Sequence, residues 1–346
     1  MSISIGMHRI ALDGIGCNPN LNFISHAHSD HIRRPDLEAV MSKETEELIK
    51  VVYGKNVKRA DAGNTRLLDA GHILGSKQLF IDDCEHGYSI VYTGDYQLEP
   101  SFAAKPIEMR EADIAIIDST YPYPSVKFDD KLQVAESIQK YALEVLDKGI
   151  AIFGAYALGK AQELIKILND AGMVPVVSKK ISAINKIYER NSIALEYISA
   201  YDDYDEFDSA IRRNFVAVIE SHDLGGIKAA LKRLYGKAVY TAVATGFAKI
   251  YRFNTDAQFA LSDHADFRQA TSYIDSVNPS IIFTFGGNAE LFASNLRNIG
   301  YNAAPYNGLD LVEPITESAT NAEMRSPPND LRCKNAWQRK NFLFGK

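Results

Sequence analysis

The segment "NFISHAHSDHIRR" (residues 22–34) places three of the chain's eight histidines within six positions, directly after an apolar run of strand length. A strand directs alternate side chains to one face, so we expect His26 and His28 to project together. In the turn that follows, Asp30 and His31 can face the same space. Neutral imidazole and carboxylate are the usual donors for zinc and related metals. The segment therefore predicts a metal site at a strand-to-helix corner.

Other residues of ligand type follow other predicted strands. They lie in "ALDGIG", "LLDAGHILGSKQL", "SIVYTGDYQ" and "FALSDHADF", and they are Asp13, His72, Asp95 and His264. Either of these two histidines alone would more often be structural. Together with the first cluster, however, these residues predict a binuclear metal site on the rim of a sheet.

Composition limits the class of protein. The 346 residues are 46% hydrophobic and 24% charged, which is typical of a globular chain of about two domains. The net charge of −6 argues against a protein that coats nucleic acid through a basic surface. No apolar run is long enough to span a membrane, and no signal peptide is evident. Three dispersed cysteines suit a reducing compartment, so we expect a cytoplasmic protein with no membrane association.

The pattern of apolar residues changes along the chain. Residues 1–125 carry short β-branched and aromatic runs, whereas residues 126–245 alternate helix and strand and predict an inserted parallel-sheet domain. Residues 246–312 return to the first domain, and residues 313–346 form a polar, basic extension. The acidic run at 202–208 is interpreted as an exposed loop.

The order and spacing of these ligand-type residues resemble those of a known family. The order of Asp13, the H-x-H-x-D-H segment, His72 and Asp95 resembles the metallo-β-lactamase superfamily. "AIIDSTY" with Asp118, the insertion, and "LSDHAD" with His264 resemble its nucleic-acid-processing branch, the β-CASP nucleases. "GAYALGKAQELIKIL" and "SDHADF" are most similar to the DNA exonucleases associated with a ligase and to mRNA 3′-end processing factors. The resemblance implies an αββα sandwich with an inserted α/β β-CASP domain.

The resemblance also implies roles for individual residues. It gives two metal positions, whose ligands are His26, His28 and His72 for one ion, Asp30 and His31 for the other, and Asp95 between them. Asp13 would orient a ligand imidazole. His264, held by Asp118, would donate a proton to the leaving group. We group Asp30 with this pair as catalytic, and we expect one or two zinc ions, with manganese as an alternative.

One position departs from the family pattern. Phe285, in "SIIFTFGGNAE", stands where the family usually has a histidine that binds the second metal. Phenylalanine cannot bind a metal, so we expect the second site to be weak. DNA-processing relatives of the cross-link-repair type also lack this histidine, which favours DNA slightly over RNA.

Contacts with nucleic acid are predicted at two further segments. In "GAYALGKAQELI", backbone N–H groups near Gly159 and the side chain of Lys160 could hold a phosphate, although an ordinary strand-to-helix connection explains this segment equally well. In "TGFAKIYRF", Lys249 and Arg252 could line the same cleft.

These observations favour a metal-dependent nuclease, an exonuclease whose cleft between the domains admits a single DNA strand. An RNA-processing nuclease is the first alternative. A small-molecule metallo-hydrolase and a nucleic-acid-binding subunit without catalysis remain open. A DNA ligase or helicase partner is implied by the resemblance alone.

Overall fold

Three β-sheets organise the residues that the structure, a computed structural model, describes: 2–5, 8–16, 18–83 and 87–306. The predicted extension at 313–346 lies outside these ranges, and so do Cys17, Cys84 and Cys333. Within the described ranges, no helix combines the length and the apolar character needed to cross a membrane.

The described residues of the first part of the chain form eight strands and one α-helix. The strands are β1 (Ser2–Ile5), β2 (His8–Leu12), β3 (Leu21–Phe23), β4 (Ala39–Val40), β5 (Thr65–Asp69), β6 (Lys77–Asp83), β7 (Tyr88–Tyr92) and β8 (Ile114–Asp118). The helix, α1 (Lys43–Tyr53), begins after Ser42, whose side chain accepts a hydrogen bond from the backbone N–H of Thr45. This contact satisfies one of the free donors of the first turn.

The inserted part alternates helix and strand as the sequence predicts. Its elements are α2 (Lys131–Leu146), β9 (Gly149–Ala155), α3 (Lys160–Asp170), β10 (Val176–Val177), α4 (Lys179–Arg190), α5 (Tyr204–Ile211), β11 (Val216–Glu220), α6 (Leu224–Tyr235), β12 (Ala238–Ala244) and β13 (Ala257–Phe259). The five strands are all parallel, in the order β10-β11-β9-β12-β13. The chain then returns through α7 (Phe267–Val277), β14 (Ile281–Phe285), α8 (Ala289–Asn298) and β15 (Ala303–Pro305).

Two sheets form the body of the protein. One has the order β1-β2-β3-β4, and the other has the order β15-β14-β8-β7-β6-β5. Their inner faces share one apolar core, to which Phe23 and Ile116 contribute from opposite sheets. The outer face of the six-stranded sheet packs against α7 and α8, for example through Phe267 and Phe292. With α1 packed beyond the four-stranded sheet, this αββα arrangement and the inserted sheet confirm the predicted fold class.

Strand direction brings the ends of four strands to one edge of the six-stranded sheet. β7, β8 and β14 are parallel neighbours, and β5 runs in the same direction because two antiparallel pairings separate it from β7. Parallel strands end at the same edge. His72, Asp95, Asp118 and Phe285, which lie at or just after these ends, are therefore gathered at that edge.

The inserted sheet extends past the predicted boundary at residue 245. β13 pairs with β12 in parallel, with Ala242 opposite Ala257, so it belongs to the inserted sheet and not to the body. The alternation of apolar residues predicts a strand here but does not report which sheet it joins. His264 consequently lies on the connection from the inserted sheet to α7.

The sequence analysis interpreted the acidic run at 202–208 as an exposed loop, and this interpretation is wrong. Helix α5 begins inside the run, and the side chain of Asp203 accepts a hydrogen bond from the backbone N–H of Glu206. Carboxylates in the first turn interact favourably with the positive end of the helix dipole. The run therefore starts a helix, one that buries none of its residues.

The core between the two sheets provides a test of the fold. Ile116 is fully buried there, so Ile116→Ala should lower the free energy of unfolding by about 2–5 kcal/mol through lost burial and a residual cavity. Leu234→Ala, on the exposed side of α6, serves as the control and should change it little. Thermal and denaturant unfolding measure both, and equal effects would contradict the packing described.

Candidate metal centre

Four imidazole nitrogens converge on one carboxylate oxygen. Oδ2 of Asp95 lies 3.3 Å from Nε2 of His31 and 3.5 Å from Nε2 of His26. It lies 3.9 Å from Nε2 of both His72 and His264. The structure thus brings together five of the residues that the sequence analysis singled out.

Two of the histidines donate hydrogen bonds to main-chain carbonyls. Nε2 of His28 is 3.2 Å from the carbonyl oxygen of Leu158, and Nδ1 of His72 is 2.8 Å from that of Asp263. A carbonyl oxygen only accepts, so each ring carries its proton at that nitrogen. The lone pairs are therefore at Nδ1 of His28 and at Nε2 of His72.

Two more histidines are oriented through Asp13. The hydroxyl of Ser25 donates to Asp13 at 2.9 Å, so it accepts from Nδ1 of His26, also at 2.9 Å. Nδ1 of His31 donates to Asp13 directly at 2.7 Å. Both rings then present Nε2 toward Asp95. Burial opposes protonation of His31, but the carboxylates of Asp95 and Asp13 outweigh it and raise the pKa of His31 well above its ordinary value.

The lone-pair nitrogens are spaced as ligands of one ion. Nδ1 of His28 lies 3.0 Å from Nε2 of His26 and 3.2 Å from Nε2 of His72. Two nitrogens bound to one tetrahedral zinc at 2.0–2.1 Å would lie about 3.3 Å apart. With Asp95, these three rings form a group whose ligand atoms all lie within 4.8 Å of one another. The donor set fits a divalent metal. Without a cation, the converging lone pairs of the buried rings would be left uncompensated.

Burial keeps two of these rings neutral, the form that binds a metal. Burial, together with His264, lowers the pKa of His72 to about 3. Burial, together with His31, lowers the pKa of His26 well below its ordinary value. Metal binding at neutral pH therefore does not require either ring to lose a proton first.

Asp13 has the contacts that an orienting role requires. Its carboxylate accepts from the backbone N–H of Ser25 at 2.8 Å and from the hydroxyl of Tyr92 at 2.7 Å, besides His31. Asp13 itself has a φ of 50°, in the left-handed region. Its four hydrogen bonds offset the strain of that backbone conformation.

Asp30 and Phe285 differ from the compact group. The side chain of Asp30 is 57% exposed, with Oδ2 3.8 Å from Nε2 of His31, so it lies at the rim of the cluster. The ring of Phe285 packs on Tyr92 with centroids 4.8 Å apart. An apolar side chain thus occupies the strand end beside Asp118, its partner across the parallel pair.

His264 and Asp118 form a hydrogen-bonded pair at the same edge. Nδ1 of His264 is 3.1 Å from Oδ2 of Asp118, whose Oδ1 accepts from the hydroxyl of Thr120 at 2.9 Å. Burial opposes protonation of His264, but the carboxylates of Asp95 and Asp118 outweigh it and raise the pKa of His264 to about 9. Burial and the neighbouring Asp95 raise the pKa of Asp118. The ring is therefore protonated at neutral pH, with Nε2 facing the cluster.

Relatives of the chain are found among known proteins. No model of a known protein family matches the chain. It is 33% identical over 299 residues to a protein of Opitutus terrae named "Probable DNA ligase", covering 82% of this chain and 28% of that protein. It is 28% identical over 192 residues to "Probable RNase MJ4" of Methanocaldococcus jannaschii, covering 43% and 44%. It is 24% identical over 168 residues to "DNA cross-link repair 1A protein" of Mus musculus, covering 43% and 16%.

The chain belongs to the β-CASP branch of the metallo-β-lactamase superfamily. It spans less than half the length of each of these three relatives. Its fold is also similar to the crystal structure of a protein of unknown function from Enterococcus faecalis, with a TM-score of 0.59 at 14% identity, covering 84% of this chain and 80% of that one.

In this β-CASP protein, the two groups predicted to bind a phosphate do not face solvent as that role requires. Lys160 is only 1% exposed, and its ammonium lies 2.9 Å from Glu163 and 3.5 Å from Asp263. The backbone N–H of Gly159 donates to the side chain of Gln162. Both groups are already engaged inside the protein, so the predicted phosphate role does not fit their positions.

The second predicted contact segment is closer to solvent. Lys249 pairs with Asp129 at 2.7 Å and remains about one-third exposed, and Arg252 is exposed. A role for these two residues in binding nucleic acid stays a prediction.

Sequence reasoning missed Asp263. Its main-chain oxygen accepts from His72, its Oδ2 faces Lys160, and its Oδ1 lies 4.0 Å from Nε2 of His264. It also forms a close group with the ligand-type atoms of His72 and His264. Its position directly before His264 in "LSDHAD" was the available signal.

Asp13 offers a test of the metal centre with a matched control. Asp13→Asn weakens the acceptor that orients His31 and Ser25, so metal affinity should fall about 10- to 100-fold. Asp113→Asn alters a similar carboxylate, which accepts from the N–H and hydroxyl of Ser89 far from the cluster. Competition with a chelator measures both affinities. Equal affinities for the two variants would contradict the role of Asp13.

The pKa of His264 offers a second test, in the metal-free protein. Its raised folded-state pKa, about 9 against 6.5 when unfolded, contributes stability that is complete below pH 6.5. That stability is lost as the pH rises toward 9. Histidine-selective NMR titration should give an imidazole pKa well above 6.5, which falls in Asp118→Asn. A His264 pKa at or below 6.5 would disprove the pairing.

Proposed function

We propose that this β-CASP protein is a metal-dependent nuclease that hydrolyses phosphodiester bonds, acting near an end of single-stranded DNA. The observation that carries the proposal is the pairing of two features at one sheet edge. One is the set of lone-pair nitrogens of His26, His28 and His72 beside Asp95. The other is the ring of His264, whose Nδ1 is held by Asp118 and whose Nε2 lies 3.9 Å from Oδ2 of Asp95.

Each feature meets one need of phosphodiester hydrolysis. A divalent ion held by the three rings and Asp95 would supply Lewis acidity, which polarises the phosphate and activates water. The leaving alkoxide needs a proton, which His264 can donate from Nε2. Asp118 accepts from Nδ1 of His264, so it fixes the orientation of that ring and stabilises its charge.

The roles of the remaining predicted residues are part of this proposal. Asp30 and His31 would bind a second ion with Asp95, and Asp13 would orient His31. Phe285 lies packed on Tyr92, which supports a weaker second position. We expect zinc as the ion, with manganese as the alternative.

A row of aromatic rings supports a substrate with unpaired bases. Tyr121 lies 6.1 Å from the His264 ring, Phe247 lies 5.6 Å from Tyr121, and Tyr251 lies 6.1 Å from Phe247. Tyr251 is 59% exposed. Bases of single strands stack on such rings without sequence preference. Tyr121 is buried and Phe247 is half-buried, so Tyr251 is the ring of the three that offers an exposed face for stacking.

The relatives support both possible sugars. The proteins named "Probable DNA ligase" and "DNA cross-link repair 1A protein" favour DNA, and the first of these names supports a DNA ligase as a partner. A helicase partner stays a prediction from the family resemblance alone. The relative named "Probable RNase MJ4" favours RNA. The absence of the family's histidine at Phe285 tips our proposal to DNA. A cytoplasmic location stays a prediction from the sequence.

A nuclease assay tests the proposal. End-labelled single-stranded DNA, its RNA counterpart and a duplex are each incubated with the metal-loaded protein, with and without a chelator. We expect the DNA strand to be shortened and the chelator to stop it. If the protein degrades the RNA strand and leaves the DNA strand intact, the substrate is RNA and the proposal of DNA is wrong. Binding of metal without cleavage of any nucleic acid would favour a small-molecule hydrolase instead.

Asp118→Asn separates proton donation from metal binding. It weakens the hold on His264, so kcat should fall about 10²- to 10⁴-fold while the metal content stays near that of the unaltered protein. Asp113→Asn serves as the control and should keep full activity. Full activity in Asp118→Asn would contradict the proposed acid, even if the chelator result holds.

A further inference from the structure

The turn between β9 and α3 reaches from the inserted sheet into the metal centre. The carbonyl oxygen of Leu158 accepts the Nε2 hydrogen of His28 at 3.2 Å, across 130 residues of sequence. This hydrogen bond leaves the Nδ1 lone pair of His28 facing His26 and His72. One ligand ring of the body is thus oriented by a carbonyl of the inserted part.

The same turn reaches His72 through Asp263. The buried ammonium of Lys160 lies 3.5 Å from Oδ2 of Asp263, and the main-chain oxygen of Asp263 accepts from Nδ1 of His72. Lys160 also contacts Glu163 at 2.9 Å, and Glu163 in turn contacts Lys131 at 2.7 Å. The two ammonium and two carboxylate groups balance in charge. Their burial requires close pairing because unpaired buried ions are costly.

Gly159 allows the turn to come this close. Its φ is +88°, and a Cβ atom there would lie 2.4 Å from Cγ2 of Ile73, the neighbour of His72. The same Cβ would lie 3.9 Å from Nε2 of His28. A side chain at this position would both strain the backbone and push the turn away from the two histidines.

We propose that the turn Leu158–Lys160 is a positioning element of the metal centre, fixing His28 directly and His72 through Asp263. Metal affinity then depends on the contacts that this turn of the inserted part makes with His28 and Asp263. Gly159 and Lys160 act indirectly, in place of the phosphate contact that their sequence suggests. Gly159 lets the carbonyl of Leu158 reach His28, and Lys160 pairs with Asp263, whose main-chain oxygen accepts from His72. The inference rests on the metal centre of the proposed function.

Zinc affinity of the full chain tests this inference without an activity assay. The metal-free protein is titrated with zinc against a competing chelator for Gly159→Ala, Lys160→Met and Asp263→Asn. Each variant should bind zinc about 10- to 100-fold more weakly, the usual effect of losing a group that orients a ligand. Cobalt(II) absorption of the same variants should change in intensity as the rings lose their fixed orientation.

Lys131→Met is the matched control. Lys131 is a buried lysine that contacts Glu163, as Lys160 does, but it makes no ion pair with Asp263. It should lower the thermal unfolding temperature of the metal-free protein as Lys160→Met does, and it should leave zinc affinity nearly unchanged. An equal loss of affinity in Lys131→Met would mean that general stability, and not positioning, controls the metal.

The sign of the effects separates positioning from simple charge. If only charge mattered, Lys160→Met would strengthen zinc binding by removing a nearby cation, whereas Asp263→Asn would weaken it. Weaker binding in both supports positioning, and opposite signs or no change overturns it. If Gly159→Ala does not fold, the other two variants decide. An unaltered protein that binds no zinc would refute the proposed centre itself.

Discussion

The convergence of imidazole lone pairs on Asp95 is the constraint on which the rest of the site depends. Nδ1 of His28 lies 3.0 Å from Nε2 of His26 and 3.2 Å from Nε2 of His72. The other nitrogen of each of these three rings already donates a hydrogen bond. Such an arrangement is unfavourable without a cation, because none of the three rings has an N–H left to donate to the lone pair of its neighbour. The protein holds it through buried acceptors that leave the rings little freedom to turn.

The fold supplies this geometry from both of its parts. Strands β5, β7 and β8 end at one edge and deliver His72, Asp95 and Asp118, whereas the segment after β3 delivers the histidine cluster. The inserted part adds the acceptor for His28 and the connection that carries His264. The site therefore draws on the body and on the insertion together.

Much of this arrangement follows from sequence patterns. The ends of predicted strands indicate that His72 and Asp95 meet the histidine cluster. His26 and His28 do lie together, with ring centroids 4.7 Å apart, but β3 already ends at Phe23, so the bend after the strand and not alternation along it brings the two rings together. Other features were wrong because they depend on tertiary partners. Lys160 follows a glycine as in a phosphate-binding turn, but Glu163 and Asp263 bury and neutralise it. β13 joins the inserted sheet through its pairing with β12, which local composition does not encode.

X-ray absorption at the zinc edge, on protein first analysed for its metal content, tests the central claim most directly. The account predicts at least one zinc ion per chain, with nitrogen and oxygen ligands at about 2.0–2.1 Å and scattering from about three imidazole rings. Loss of the imidazole signal in His28→Ala would tie the ion to this cluster. Protein that binds no zinc, or a spectrum dominated by sulfur ligands, would contradict the centre described.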